Sequence, residues 1–381
     1  MKGELLDEMV KASAHHTAAV AIMLFILLAV LLFSTGFAIS HKNHSIFSTT
    51  YSISSTTIAT HYTGNTISSN TIASNSTSTV PQNDTFNVSN ANVSKYVNYT
   101  LNLINSERKQ FNLTPVTLDT EPSAEQHSES MLDNGYFSHW DIYGMKPYMR
   151  YTLLGGRGSM DENVAYRATI YSCPAGSTCN VPPINVTSAI NYMENSMIYN
   201  DSLCCDNGHR MNILNPNHNK VSIGVAYNKT TVYLTEDFID HYINWLQDTP
   251  NVYNQNVSLY GDLSPGYRYQ GTEIIYDPIP QNMTLAELNQ TSSYSYGTPV
   301  GGVANGTYYY PGLITLYAST YRLSKTSFEI NFSISNLYQK YGSGVYTVGV
   351  FLTNSSGGSF LGGSYSIFLN QNGKPYTPKN I

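Results

Sequence analysis

Apolar residues recur at helical spacing in three stretches of the central part of the chain. They predict helices over residues 94–110 and 120–135, and a third helix that begins near residue 187. Gly135 is a natural C-cap for the second helix, because glycine tolerates the left-handed backbone that ends many helices. Residues 209–214 predict one further helical turn before a proline.

Strand patterns follow these helices. Apolar and small or polar residues alternate over 221–226, and a turn at 228–229 leads into a second apolar stretch from residue 232. A helical half followed by a β-hairpin predicts a layered α+β domain, which we place at 92–247. Between the second and third helices, residues 140–186 are interpreted as loop-rich.

The C-terminal third of the chain shows a strand pattern alone. Strict alternation occurs over 328–334, 346–352 and 365–369, separated by turns rich in Gly and Asn. Short alternating strands of this kind predict a small all-β, sandwich-like domain at 255–381.

The N-terminal region predicts a membrane anchor. Residues 18–39 contain no charged side chain and are long enough to cross a hydrocarbon core as a transmembrane helix. We expect residues 1–17 to form a cytoplasmic tail. Residues 40–91 are dominated by Ser, Thr and Asn, cannot bury a core, and predict a disordered stalk.

Composition points to an extracellular protein on a cell membrane. The net charge is −6 and charged residues make up 12% of the chain, so no basic surface favours nucleic acid. Asn-X-Ser/Thr acceptor sites are dense beyond the apolar segment, which predicts a glycoprotein whose C-terminal domains lie outside the cell. Examples are Asn75, Asn83, Asn87, Asn92, Asn98, Asn112, Asn185, Asn228, Asn256, Asn282, Asn305 and Asn331.

The four cysteines predict two disulfide bonds. Cys173, Cys179, Cys204 and Cys205 lie close together in an exported chain, where an even number of cysteines is typical of disulfides. A bond between the neighbours Cys204 and Cys205 would be strained, so we expect each to pair with Cys173 or Cys179. Their spacing lacks the paired form of structural zinc sites.

One carboxylate stands out from its local pattern. Glu194 lies on the apolar face of the third predicted helix, with Ile190, Met193 and Met197. An unpaired carboxylate on a buried face is costly, which indicates a specific role for Glu194.

Five short motifs occur in a fixed order in this part of the chain. They are Ala124-x-x-His127-Ser128-x-x-Met131, Phe137-Ser138-His139, Glu162-Asn163-Val164-Ala165, Gly208-His209-Arg210-x-Asn212-Ile213-Leu214 and Val221-x-Ile223-Gly224-Val225. Together they resemble the CAP superfamily, which contains cysteine-rich secretory proteins, antigen 5 and pathogenesis-related 1 proteins and is also called the SCP domain. The similarity covers roughly 95–240 and is closest to the prokaryotic branch.

The resemblance implies a CAP-type α-β-α sandwich with a cleft that contains His139, Glu162, Glu194 and His209. It also implies that the two histidines bind Zn²⁺ or another divalent cation, since several members do so. Glu162 could accept a hydrogen bond from a histidine ring or cap a loop, and Glu194 could act as a general base. We interpret His127 as a structural histidine bonded to a neighbouring loop.

Three functions follow from these features. The first is a membrane-anchored, cell-surface binding module that recognises a lipid, a glycan or a protein. The second is a metal-dependent, protease-like hydrolase with His139 and His209 as ligands and Glu194 and Glu162 as catalytic carboxylates. The third is a structural role in the envelope or in adhesion. The sequence leaves open whether the protein is an enzyme.

Overall fold

The computed structural model of the protein describes residues 58–60, 90–169, 181–291 and 293–378. The helices are α1 (Asn90–Gln110), α2 (Ser123–Asn134), α3 (Pro147–Leu153), α4 (Val186–Tyr199), α5 (Ser202–Cys205), α6 (Gly208–Ile213), α7 (Leu285–Leu288) and α8 (Ser335–Tyr341). The strands are β1 (Ile58–Thr60), β2 (Thr117–Leu118), β3 (Ser159–Ala168), β4 (Lys220–Tyr227), β5 (Thr231–Asp240), β6 (Ile243–Trp245), β7 (Asn251–Tyr253), β8 (Asn256–Leu263), β9 (Arg268–Asp277), β10 (Thr298–Ala304), β11 (Ile314–Tyr317), β12 (Thr320–Leu323), β13 (Ser327–Ser333), β14 (Gly344–Thr353) and β15 (Ser359–Leu369).

The first half of the described chain is a three-layer α-β-α arrangement around a sheet of order β1-β3-β5-β4-β2. Ile223 and Val225 of β4 pack with α1 and α4 in one apolar core. Gly224 lies between them and therefore faces the other side of the sheet, where it meets Ala124 of α2. The predicted α+β class and layering are thus present in the structure.

The contact between α2 and β4 is close enough to require glycine. A Cβ at Gly224 would overlap the backbone carbonyl of Ala124. We therefore expect Gly224→Ala to lower the free energy of unfolding by about 1–3 kcal/mol, as overpacking does, and Gly224→Val to cost more. Urea denaturation of the full chain measures both. Gly358→Ala, at an exposed glycine beside the end of the Asn354 side chain, should stay within about 0.5 kcal/mol of wild type. Equal stability of all three variants would contradict the close contact.

The second half is a β-sandwich. One sheet has the order β11-β10-β9-β14-β15, and the other has the order β12-β13-β8-β6 with β7 paired to β8. A single apolar core contains residues of both sheets, such as Val257 and Phe328 from one and Val303 and Val348 from the other. The alternation over 328–334 appears directly as the buried and half-buried pattern of β13.

The two halves pack against each other within one compact unit. Lys146 Nζ lies 2.7 Å from Asp277 Oδ1, and the Tyr148 hydroxyl donates to Asp277 Oδ2 at 2.6 Å. Tyr148 also stacks on Tyr296, with ring centroids 4.3 Å apart. Strand β6 follows directly after β5 and pairs with β8, so the connection between the halves is itself part of the sandwich.

The structure corrects one expectation about secondary structure. Residues 140–186 were interpreted as loop-rich, but they contain α3 and the ten-residue central strand β3. Glu162 therefore lies within a strand and does not cap a loop. Strand β3 is covered on both faces, so its sequence lacks the alternation that marks half-exposed strands.

Several predictions concern residues outside the described part of the chain. The predicted span 18–39 and most of the predicted stalk fall there, as do Cys173 and Cys179. Within the stalk segment, β1 is described and pairs in parallel with Ala165–Arg167 of β3. Among the described helices, none is both long and apolar enough to cross a bilayer.

Candidate functional site

His139 and Glu162 form a buried pair at the centre of the site. His139 follows α2, Glu162 is the fourth residue of β3, and His139 Nδ1 lies 2.9 Å from Glu162 Oε1. Arg150 of α3 donates to Glu162 Oε2 at 2.6 Å and to the carbonyl of His139 at 2.8 Å. One arginine therefore fixes both the carboxylate and the backbone of its histidine partner.

Glu162 has a second carboxyl neighbour. Asp237 is directly opposite Glu162 in the β3–β5 ladder, and the two side chains are hydrogen-bonded. Burial raises the pKa of Glu162 to about 7, although Arg150 opposes this increase. Burial and the charge of Glu162 raise the pKa of Asp237 well above its usual range. Asp237 therefore retains its proton more readily than an ordinary aspartate and can donate to the Glu162 carboxylate.

The C-terminal half contributes to this part of the site. The Tyr294 hydroxyl accepts a hydrogen bond from the backbone N–H of Glu162 at 2.9 Å. Its ring lies 5.1 Å from the His139 ring, centroid to centroid. No sequence pattern indicated that a tyrosine more than 100 residues away would lie beside the histidine.

His209 is also oriented by a carboxylate. His209 Nδ1 lies 2.7 Å from Asp201 Oδ1, and Asp201 Oδ2 accepts the backbone N–H of Arg210 at 3.0 Å. His209 is fully buried, and its Nε2 has no hydrogen-bond partner in the structure. Burial lowers the pKa of His209, and the nearby His139 contributes to the decrease although Asp201 opposes it. His209 is therefore neutral near pH 7.

Glu194 lies in a second pair of carboxyl groups. It extends from α4 and is hydrogen-bonded to Glu236 of β5. Burial and the Glu236 charge raise the pKa of Glu194 well above its usual range. Glu236 also accepts a hydrogen bond from Asn163 Nδ2 at 3.2 Å, and the same amide contacts the carbonyl of His209 at 3.3 Å. Glu194 is thus the member of the pair that holds a proton more readily, and it can donate a hydrogen bond to Glu236.

The four predicted residues are therefore linked through partners that sequence reasoning did not identify. His139 contacts Glu162 directly, and it lies close enough to His209 to lower the pKa of His209. Glu194 connects to the backbone of His209 through Glu236 and Asn163. The missed partners are Arg150, Asp201, Glu236, Asp237 and Tyr294. A usable signal existed for two of them, because Glu236 and Asp237 are adjacent carboxylates between the apolar residues Leu234 and Phe238 of the predicted strand. His127 is a structural histidine as predicted, with Nε2 2.8 Å from the carbonyl of Ser138.

One group of three side chains has the spacing of a metal site. Candidate ligand atoms of Asp201, Cys205 and His209 lie within 4.8 Å of one another. However, Cys205 is disulfide-bonded, and both Asp201 oxygens accept hydrogen bonds. A disulfide sulfur is not a thiolate, and the Asp201 oxygens are already engaged, so this donor set fits a resident ion poorly. Asp201 instead has the geometry of a group that orients a metal-binding histidine.

Comparisons with known proteins agree with the sequence motifs. Residues 101–247 match the model of CAP, the cysteine-rich secretory protein family. Among solved structures, the chain is similar to an extracellular protein containing a SCP domain from Bacillus anthracis str. Ames, at 25% identity and a TM-score of 0.29. That similarity covers 39% of this chain and 41% of the other, so the chain spans less than half of that protein. No curated protein matches the chain.

Proposed function

We propose, from the premise that residues 101–247 form a CAP domain, that the protein is an extracellular binding module in which His139 and His209 hold a divalent cation. The module would be displayed from the membrane by the apolar segment 18–39. Its ligand would be a lipid, a glycan or a protein at the cell surface. Zn²⁺ is the first cation to test, because neutral imidazoles are among its preferred ligands.

The observation that supports a cation is the shared environment of the two histidines. Each imidazole uses Nδ1 to contact a buried carboxylate, Glu162 for His139 and Asp201 for His209. A carboxylate at one ring nitrogen fixes the tautomer and directs the lone pair of Nε2 away from it, as in many zinc sites. When bound, the ion would supply a positive charge and an exchangeable coordination position for the ligand.

The state of Glu194 favours binding over hydrolysis. A general base must be ionised at the working pH, but burial and the charge of Glu236 raise the pKa of Glu194 well above its usual range and so favour its neutral form. Its role is to order the interior of the domain rather than to activate water. We expect Glu194→Gln to preserve this order, because the amide can donate to Glu236 in place of the carboxylic acid.

Calorimetric zinc titration of the full chain tests the proposal. We expect one ion per chain, and no binding to the His139→Ala/His209→Ala double variant. Asp201→Asn should weaken binding by about 10–100-fold, because it removes the carboxylate that orients His209. Glu194→Gln serves as the matched control and should bind like wild type. Equal binding by wild type and the double variant would contradict the proposed site.

A hydrolase is the second candidate, favoured by the pKa of about 7 at Glu162. That value suits a general base, although His139 and Arg150 occupy its two oxygens. Incubation with a peptide library separates the alternatives. Cleavage by the wild type that is lost in Glu162→Gln but kept in Glu194→Gln would favour an enzyme. The absence of cleavage together with zinc binding would favour the binding module.

A further inference from the structure

A small cavity is lined in part by Arg150, which also contacts the site described above. It has a volume of about 110 Å³, which is room for several water molecules, and it opens between α2 and α3. Met145 and Leu154 supply apolar wall. The polar lining consists of Ser123, Gln126, His127, Ser130, Asp141 and Arg150. We call it the α2–α3 pocket.

His127 presents a hydrogen-bond acceptor in this lining. Its Nε2 contacts the carbonyl of Ser138, which can only accept, so Nε2 carries the proton. Burial, and then the charge of Arg150, lower the pKa of His127 well below its usual value, and the ring is neutral. Nδ1 therefore has a lone pair. It is buried and has no hydrogen-bond partner in the structure.

Arg150 presents a donor in the same lining. Its two terminal nitrogens are engaged by Glu162 and by the carbonyls of His139 and Met145. The remaining Nε–H is buried and has no hydrogen-bond partner in the structure. A buried donor and a buried acceptor without partners each cost free energy, which a suitable ligand would recover.

The charge of the pocket lining is close to balanced. Arg150 is the cation of the lining and Asp141 is its carboxyl group, and Arg150 also pairs with Glu162 outside the lining. Asp141 Oδ1 accepts two backbone N–H groups, from Tyr143 at 2.9 Å and from Met145 at 2.8 Å. An anion or a cation that enters the pocket therefore meets no net charge of opposite sign. A neutral group that both donates and accepts is the better match, and a hydroxyl does both.

We propose that the α2–α3 pocket binds the hydroxyl-bearing end of a neutral polyol, either the edge of a sugar or a glycerol group. One hydroxyl accepts from Arg150 Nε and donates to His127 Nδ1. A carbon of the ligand packs on Met145 and Leu154. The pocket lining contains neither His139 nor His209, so a test on the metal-free protein separates this inference from the proposed cation site.

Saturation-transfer NMR on the metal-free full chain, in buffer without sugars, glycerol or sugar-based detergents, tests this assignment. The probes are D-glucose, which represents a glycan, and glycerol, which represents a lipid headgroup. Acetate and methylammonium are the charged comparisons. We expect a dissociation constant of about 1–10 mM for the polyol that binds better. Which of the two binds better shows whether the natural ligand is a glycan or a lipid headgroup. Acetate and methylammonium should bind more weakly than that polyol.

Two variants locate the binding. Gln126→Trp should fill the pocket entrance and weaken polyol binding at least tenfold, whereas Glu125→Trp, at the neighbouring exposed position outside the lining, should not. His127→Gln keeps a donor for the Ser138 carbonyl, removes the Nδ1 acceptor, and should also weaken binding about tenfold. His127→Gln decides the matter if Gln126→Trp fails to fold. No transfer to either polyol, unchanged binding by these variants, or preference for an ion would overturn the proposal.

Discussion

Replacing Arg150 by methionine is expected to lower the free energy of unfolding by about 3–5 kcal/mol near pH 8. Arg150 is buried and is the cation hydrogen-bonded to Glu162, whose side chain is fully buried. Without the guanidinium, Glu162 either stays ionised without its cation or takes up a proton at a higher pH. The backbone carbonyls of His139 and Met145 also lose their donor. Chemical denaturation of the full chain measures the loss.

Two further variants establish the cause of this loss. Arg322→Met removes a salt bridge to Glu329 in which the arginine side chain is 74% exposed, and it should change stability by less than about 0.5 kcal/mol. Adding Glu162→Gln to Arg150→Met should recover part of the stability, because the neutral amide needs no cation. If the double variant were instead less stable than Arg150→Met, the unpaired charge of Glu162 would not be the cause of the lost stability.

The second large effect concerns pH. His218 Nδ1 lies 2.7 Å from Asp240 Oδ1, and its Nε2 lies 3.4 Å from Asp161 Oδ2. Burial alone would lower the pKa of His218, but the two carboxylates outweigh it and raise the pKa to about 9. The unfolded value is about 6.5, so the stabilisation is fully present below pH 6.5 and is lost as pH rises through 9. The difference corresponds to about 3 kcal/mol.

Denaturation curves between pH 6 and pH 10 measure this linkage. We expect the stability of the wild type, relative to that of His218→Gln, to fall by about 3 kcal/mol over that range. His241→Gln replaces an exposed histidine of the same segment and should leave the decline unchanged. A stability difference between wild type and His218→Gln that does not vary with pH would show that His218 is not charged in the folded protein.

Local sequence determined much of the first domain. Helical spacing predicted α1, α2 and α4, because each buries one apolar face, and Gly135 ends α2 with the expected left-handed backbone. Alternation of apolar and polar residues predicted the β4–β5 hairpin and β13, because successive residues of a strand face opposite sides of the sheet. The placement of Glu194 on an apolar face correctly indicated a carboxyl group with an unusual environment, since Glu194 is buried and its pKa is raised well above its usual range. Motif order identified the CAP domain, which the family comparison confirmed.

Other features depended on tertiary structure. Asp237 meets Glu162 because of the β3–β5 register, and Tyr294 accepts the backbone N–H of Glu162 because the C-terminal half packs on the first domain. Arg108 is a further case: its guanidinium is fully buried and donates to carbonyls of Ile213, Asn215 and His218.

Periodicity shows which face of an element is buried, but not which residue lies opposite. The sequence by itself therefore determined α1, α2, α4 and the β4–β5 hairpin of the first domain, the domain family and four candidate residues. Only the tertiary structure decided their protonation, their partners and the α2–α3 pocket, because these depend on contacts between residues far apart in the chain.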